Sequence, residues 1–256
     1  LSMTHPTDSL QVAGSATFAG GSTTGKLTDG ALAVGGDFSE AGTSVGDAFA
    51  PSGNHRTWLN GNTVQNVAFT HPGGTGATSR FMNLGITNPA PGAITVETDL
   101  YILGQSEFVG VPTQAVTGFG NVVHFANLFI EDPITFDNVL LAYDKALGGS
   151  DTISITNATF TNYDPNGTTP IISISHPGAQ SVTGEPMQYN FTNLTFGTVI
   201  GSGTGTYLSA TDTNTSDGVP LQIFITSNLN NPEGPNHTIP LQPPPTGQAV
   251  VNWSVP

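Results

Sequence analysis

The 256-residue chain contains no cysteine, which excludes disulfide frameworks, thiolate metal sites and cysteine nucleophiles together. Positive charge is scarce as well. Lys26, Arg56, Arg80 and Lys145 stand against 18 acidic residues, for a formal net charge of −14. Nucleic acids and anionic membranes are recognised by clustered Lys and Arg, and this chain has no such cluster. No apolar run approaches the roughly 18 residues that a membrane-spanning helix needs. Charged residues amount to only 9%, so charge-driven disorder is not the natural reading. Polarity comes instead from Thr, Ser, Asn and 32 glycines, residues that suit strands and turns and serve helices poorly.

What is present is alternation. Hydrophobic residues make up 36% and fall in short period-two runs. Leu10 and Val12 begin the pattern, after an irregular Leu1–Ser9 that contains Pro6. Ile94, Val96, Leu100 and Ile102 share a face, as do Ile153 and Ile155, Ile172 and Ile174, and Ile223 and Ile225. Val251, Trp253 and Val255 line a last strand, reached across the proline-rich stretch 230–247. Gly20-Gly21, Asn60-Gly61 and Asp164-Pro165-Asn166-Gly167 are turn signals between the runs. Only Asn138–Leu147, followed by Gly148-Gly149, predicts a short helix with a glycine stop.

The sharpest feature is a repeated Phe-x-Asn-Leu: Phe81-Met-Asn83-Leu84, Phe125-Ala-Asn127-Leu128 and Phe191-Thr-Asn193-Leu194. The spacings of 44 and 66 residues are multiples of 22. A strand recurring at fixed spacing predicts an all-β, parallel β-solenoid, β-helix-like, with repeats of ~22 residues. Asn83, Asn127 and Asn193 would then form an inward side-chain amide ladder from coil to coil. A second repetition points to duplication, since strands run into His71-Pro72-Gly73 and into His176-Pro177-Gly178. The alternative architecture is therefore two tandem antiparallel, jelly-roll-like β-sandwiches meeting near residues 148–150. Either way, residues 1–9 read as an extended segment and 10–256 as the repetitive domain.

The runs Gly53-Asn-His55-Arg-Thr-Trp58, Gln65-Asn-Val67-Ala-Phe69 and Phe81-Met-Asn83-Leu84 resemble strand-repeat segments of large secreted bacterial cell-surface proteins. Phe160-Thr-Asn162-Tyr163, Phe191-Thr-Asn193-Leu194 and Ala249-Val-Val-Asn252-Trp253 extend the resemblance to the C-terminal half. Such segments are often accompanied by immunoglobulin-like domains. The resemblance implies an exported β-helix-like module, extracellular or on the cell surface, and carries over no catalytic residue. The opening Leu1-Ser2 has neither an initiator Met nor a basic-then-apolar leader, as expected of a mature or excised segment.

Chemical motifs are sparse. Gly42-Thr-Ser44-Val-Gly46 matches the G-x-S-x-G nucleophile elbow, but no helix pattern follows it, so it reads as a turn. The acids Glu131, Asp132, Asp137, Asp144 and Asp151 are the densest group and read as a solvated acidic face. A carbohydrate-active β-helix enzyme would draw on such carboxylates, yet two arginines supply little for a polyuronate substrate. The chain is expected not to be an enzyme. Asp212, Asn214, Ser216 and Asp217 place oxygens as calcium loops do, but depart from the EF-hand pattern because Gly218 arrives one place late and position 12 is Ile223. An Asp/Asn-rich turn explains them equally, and no other cofactor is indicated. The six histidines lie apart, without zinc spacing. Asn157, Asn166, Asn190, Asn214 and Asn236 lie in glycosylation sequons expected on exposed loops, while Asn193, also in a sequon, belongs to the ladder.

The functional expectation is an extracellular structural, filament-forming subunit. It self-associates through residues 1–12, with strand 249–255 as the second contact. An adhesin-like module that holds glycans is the alternative.

Overall fold

The computed structural model describes residues 1–109, 115–127, 129–130, 133–144, 147, 153–162, 171–176, 188–192, 194–196, 208–212, 222–226 and 250–254. Among them run 23 short strands, numbered β1 to β23 along the chain. Every ladder between them is parallel, so the chain is an all-β solenoid and the antiparallel sandwich alternative is overturned.

The strands stack on three faces. Face one holds β1 (Ser9–Val12), β3 (Ala31–Val34), β5 (Arg56–Leu59), β7 (Asn83–Ile86) and β10 (Ser106–Phe108). Next to β10 it resumes as β13 (Phe129–Ile130), β16 (Ile153–Thr156), β19 (Gln188–Thr192), β22 (Gln222–Thr226) and β23 (Val250–Ser254). Face two is an unbroken eight-stranded sheet. Its strands are β2 (Ala16–Phe18), β4 (Phe38–Glu40), β6 (Gln65–Phe69), β8 (Ile94–Val96), β11 (Ala115–Gly118), β14 (Ile134–Asp137), β17 (Ala158–Thr161) and β20 (Thr195–Phe196). Face three carries β9 (Leu100–Ile102), β12 (Val122–Phe125), β15 (Leu140–Asp144), β18 (Ile172–His176) and β21 (Leu208–Asp212). In the early coils face three is reduced to single bridges, Met3 to Leu27 and Phe81 to Ile102.

Alternation decides what faces inward. Strands β3, β5, β11 and β12 each bury every second residue. Stacking then turns these positions into columns. On face one, Val34 sits on Leu59, Leu59 on Ile86, and Ile86 on Phe108. Each such side chain withdraws from water at a gain of about 1.5–3 kcal/mol. The core of the middle coils is mainly hydrocarbon, with Gln65, Asn88 and Ser106 as buried polar exceptions. A void of about 20 Å³ there is lined by Leu59, Val67, Leu84, Phe108, Val116, Phe136 and other apolar side chains. It has room for one water but offers that water no partner, so it stays dry.

The 22-residue period is one coil length among several, the shortest being the 18 positions from Val122 to Leu140. Ser9 aligns with Ala31, Ala16 with Phe38, and Leu84 with Ser106 at a spacing of 22. Elsewhere insertions lengthen it: Phe38 aligns with Val67, 29 positions on, and Ile153 with Tyr189, 36 positions on. Phe81 and Phe125 are true equivalents, both aligned with Ile102 in one buried column of face three. The third copy is not. Phe191 pairs with Ile155, which pairs with Ile130, so it stands on face one. The spacing of 66 is a coincidence produced by longer coils. The His-Pro-Gly repetition fails likewise, because β6 lies on face two and β18 on face three.

Among the described residues of the 138–147 stretch the expected helix does not form. Leu140–Asp144 forms β15, stacked between β12 and β18. Leu140, Leu141, Ala142 and Tyr143 are apolar on both faces, which hid their period-two character. Leu141 and Tyr143 fill the core, and Ala142 is also buried. Ladders β14–β17 and β15–β18 cross the 148–150 stretch, so the stack does not break there. The 1–9 segment is tied to the stack at Met3. The Met3 amide donates to Lys26 O at 2.7 Å, the Thr28 amide donates to Met3 O at 2.9 Å, and the Met3 side chain is buried. A lone methionine has no periodicity by which to announce this.

Candidate functional site

Two insertions leave the stack at the same corner on successive coils. One lies in residues 41–55, between β4 and β5, and the other in 70–82, between β6 and β7. What fastens them together is Glu40, at the end of β4. Alternation aims Glu40 inward, in line with Phe18 and Phe69, and its side chain has no exposure at all. A carboxylate in such a place needs donors. The Gly42 amide donates to Oε1 at 2.7 Å and the His71 amide to Oε2 at 3.0 Å. His71 Nδ1 lies 3.6 Å from Oε1, with no hydrogen-bond partner of its own. The His71 side chain is 41% exposed.

The loops are closed by Ser79. Its hydroxyl donates to Gly46 O at 2.8 Å and accepts from the Phe49 amide at 3.1 Å. Its amide donates to His71 O at 2.8 Å. This explains the G-x-S-x-G glycines. A Cβ on Gly42 would press on Val45 O and on the Glu40 carboxylate, and one on Gly46 would strike Ala77 O. Both positions serve close packing, and Ser44 is an exposed turn residue.

A second cluster lies on the outer side of face three. Tyr101 and His124 stack with centroids 4.2 Å apart and planes 6° from parallel. Asp99 holds the Val122 amide at 2.8 Å. Burial raises the pKa of Tyr101, and the charges of Asp99 and Asp144 add to that. Burial lowers that of His124 against the pull of the same two carboxylates. His55, wholly buried, is also held low by desolvation, with Nδ1 2.9 Å from Asp29 O. On face one, Arg56 lies over the Trp58 ring at 5.1 Å and pairs with Glu107 two coils on. The ring lies against Gly85, where a Cβ would collide with it.

The two depressed histidines set a pH dependence. Their folded pKa values lie below the unfolded value of about 6.5, so the unfolded chain binds more protons. Stability from this source is full above that pH and is lost as pH falls through it. The urea midpoint is expected to be lower at about pH 5.5 than at about pH 7.5. His124→Phe keeps a stacking ring and should flatten the difference. An equal midpoint at both pH values would contradict the assignment.

The residues singled out from sequence are scattered. Asn83, the first residue of β7 opposite Arg56, and Asn127, at the corner between β12 and β13, are half-buried and not inside. Each amide reaches a neighbouring coil's backbone: Asn83 Nδ2 donates to His55 O at 3.1 Å, its Oδ1 accepts from the Gln105 amide at 2.8 Å, and Asn127 Nδ2 donates to Leu103 O at 3.4 Å. Asn193 lies outside the described residues. A different asparagine pair shares a corner: Asn138 and Asn162, both with positive φ, each follow the paired Asp137 and Thr161. Asn162 Nδ2 donates to Asp137 Oδ1 at 2.7 Å. Asparagine directly after a strand was the signal that could have marked them.

Of the calcium candidates, Asp212 ends β21 opposite His176. Asn214, Ser216 and Asp217 lie outside the described residues. Among the described residues no three His, Asp or Glu side chains gather where a metal ion would sit. Asn157 occupies a tight corner with φ 60°. Asn190 falls inside β19, paired with Ser154 and Phe224, rather than on a loop. Asn166, Asn214 and Asn236 lie outside the described residues. No helix among those described is long and apolar enough to cross a membrane. The chain matches no family model, no curated protein and no solved structure.

Proposed function

We propose that the chain is a structural module of an extracellular or cell-surface protein that associates with copies of itself through an open strand edge. The observation that carries this reading is β1. It has β3 as its single strand neighbour among the described residues. Asp8 and Val12 carbonyls accept from the Ala31 and Gly35 amides, so alternation turns the Ser9 and Gln11 amides to the open side. Ser9, Leu10 and Gln11 are exposed along it. An unpaired parallel edge is a template for another strand. Strand β23, paired only with β22 among the described residues, is the second candidate contact. A β1-to-β23 contact is heterologous and would extend face one into an open filament. The likeness to strand-repeat segments of secreted bacterial surface proteins supports the same reading.

Electron microscopy and sedimentation of the purified chain are expected to show concentration-dependent, ordered polymers. Gln11→Pro removes an edge donor without touching the core and should leave a folded monomer. A wild-type chain that stays monomeric at high concentration would sink the proposal.

A further inference from the structure

Of the turn signals in the sequence, Asn60-Gly61 carries a chemistry of its own. The side-chain amide of an asparagine that precedes glycine is open to attack by the next backbone nitrogen, because glycine puts no side chain in the way. The other such pair, Asn166-Gly167, lies outside the described residues. At Asn60 the glycine is obligatory. A Cβ on Gly61 would stand 2.5 Å from Gly35 O and 2.8 Å from Gln65 Cδ, so no other residue fits between the coils. Close packing thus installs a labile pair at the corner between β5 and β6, with Asn60 exposed to solvent.

The reaction needs the Gly61 nitrogen to lose its proton and reach the Asn60 Cγ atom. Intramolecular attack is fast only from an aligned geometry. Here Gly61 is buried, and its N–H donates inward to Gln65 Oε1 at 2.8 Å while Asn60 faces solvent. Gln65 is itself held in place. Asn88 Nδ2 donates to the same Oε1 at 3.0 Å, and Gln65 Nε2 donates to Val34 O at 2.9 Å. Asn88 is wholly buried and also donates to Thr63 O at 2.6 Å. The Asn60 backbone amide is tied too, donating to Val34 O at 3.1 Å. A buried N–H held in this way gives up its proton only when the corner opens.

We propose that Asn60-Gly61 is a latent deamidation site, kept shut by the buried Gln65 side chain and released by local opening of the β5–β6 corner. In the opened corner the deprotonated Gly61 nitrogen bonds to Asn60 Cγ and ammonia leaves, which gives a cyclic succinimide. Water then opens the ring. Cleavage of the new N–Cγ bond leaves an aspartate at position 60. Cleavage of the original peptide C–N bond leaves an isoaspartyl link, in which the chain runs through Cβ and Cγ. Either product adds one negative charge to a chain already at −14. The isoaspartyl chain is longer by one methylene, so the bonds from Asn60 to Val34 and from Gly61 to Gln65 no longer form together. A corner that has reacted in this way does not close again. The site is separate from the β1 edge, so either reading can fail alone.

The test is to age the full chain at mildly alkaline pH, folded and in urea, and to score amide-to-acid conversion at Asn60 by peptide mapping and mass spectrometry. The folded wild type is expected to convert at least about tenfold more slowly than the unfolded chain, the worth of one hydrogen bond. Gln65→Leu should convert at close to the unfolded rate. Phe38→Ala, which weakens the early coils but leaves the Gln65 hydrogen bonds in place, should stay near the wild-type rate. Equal rates in the folded and unfolded wild type would overturn the proposal. A folded Gln65→Leu protein no faster than wild type, or equal acceleration by Phe38→Ala, would do the same. Should Gln65→Leu not fold, the aged wild type decides. Its isoaspartyl fraction, separated by chromatography, must unfold at lower urea than the unaged chain, and an unchanged midpoint counts against the proposal.

Discussion

Phe38→Ala is expected to lower the unfolding free energy by about 3–5 kcal/mol, the range for removing a fully buried aromatic. Phe38 is at the centre of five rings. Its centroid lies 5.6 Å from Phe18, 4.8 Å from Phe49, 5.6 Å from Phe69 and 5.0 Å from Phe81. The position explains why so much depends on it. In these early coils face three has single bridges where later coils have ladders. Ring packing does there what backbone pairing does elsewhere. Urea unfolding should show a lower midpoint with the slope unchanged. Phe119→Ala, at a residue 72% exposed, should change little. A Phe38→Ala protein within about 1 kcal/mol of wild type would mean that the early coils are held by something else.

Gln65→Leu has the second large effect, for the opposite reason. Gln65 is wholly buried at the start of β6. Its Oε1 accepts from the Gly61 amide at 2.8 Å and from Asn88 Nδ2 at 3.0 Å. Its Nε2 donates to Val34 O at 2.9 Å and to Gly36 O. Leucine fills the space but satisfies none of these groups. Val34 O keeps a second donor in the Asn60 amide, whereas Gly61 N–H and Gly36 O lose their partner. Each buried polar group left unpaired costs about 1–3 kcal/mol. The combined loss should exceed about 2 kcal/mol, with faster exchange of the Gly61 amide hydrogen. Unchanged exchange at Gly61 would show that water replaces the side chain there.

Strands were the easiest part to read from sequence, because alternation is local. Ile94, Val96, Leu100 and Ile102 were recognised as one inward set, and all four are buried, although they belong to two faces. The period was legible where successive coils average 22 residues, as from Phe81 through Ile102 to Phe125, 21 and 23 positions apart. It became misleading where insertions intervene, as at Phe191. Leu140–Asp144 was misread because a strand with apolar residues on both sides imitates a helix. The site was the least legible. Glu40 and His71 are 31 residues apart, and nothing in either neighbourhood predicts a shared carboxylate–imidazole contact. The available clue was the phase of β4, which places a glutamate where a core residue belongs.

The interruption of face one has a mechanical meaning. In a parallel solenoid the interstrand hydrogen bonds point along the long axis, so tension applied end to end pulls on every ladder of a coil at once. Strength then depends on how many ladders bridge each level. Between β10 and β13 face one has no ladder among the described residues, while β11–β14 on face two and β9–β12 on face three continue past it. At that level the load falls on two sides of a three-sided rod. The early coils share that arrangement, with ladders on faces one and two and single bridges on face three, so under axial force two sides carry the load at both levels and the ladder-free side changes from face three to face one along the rod.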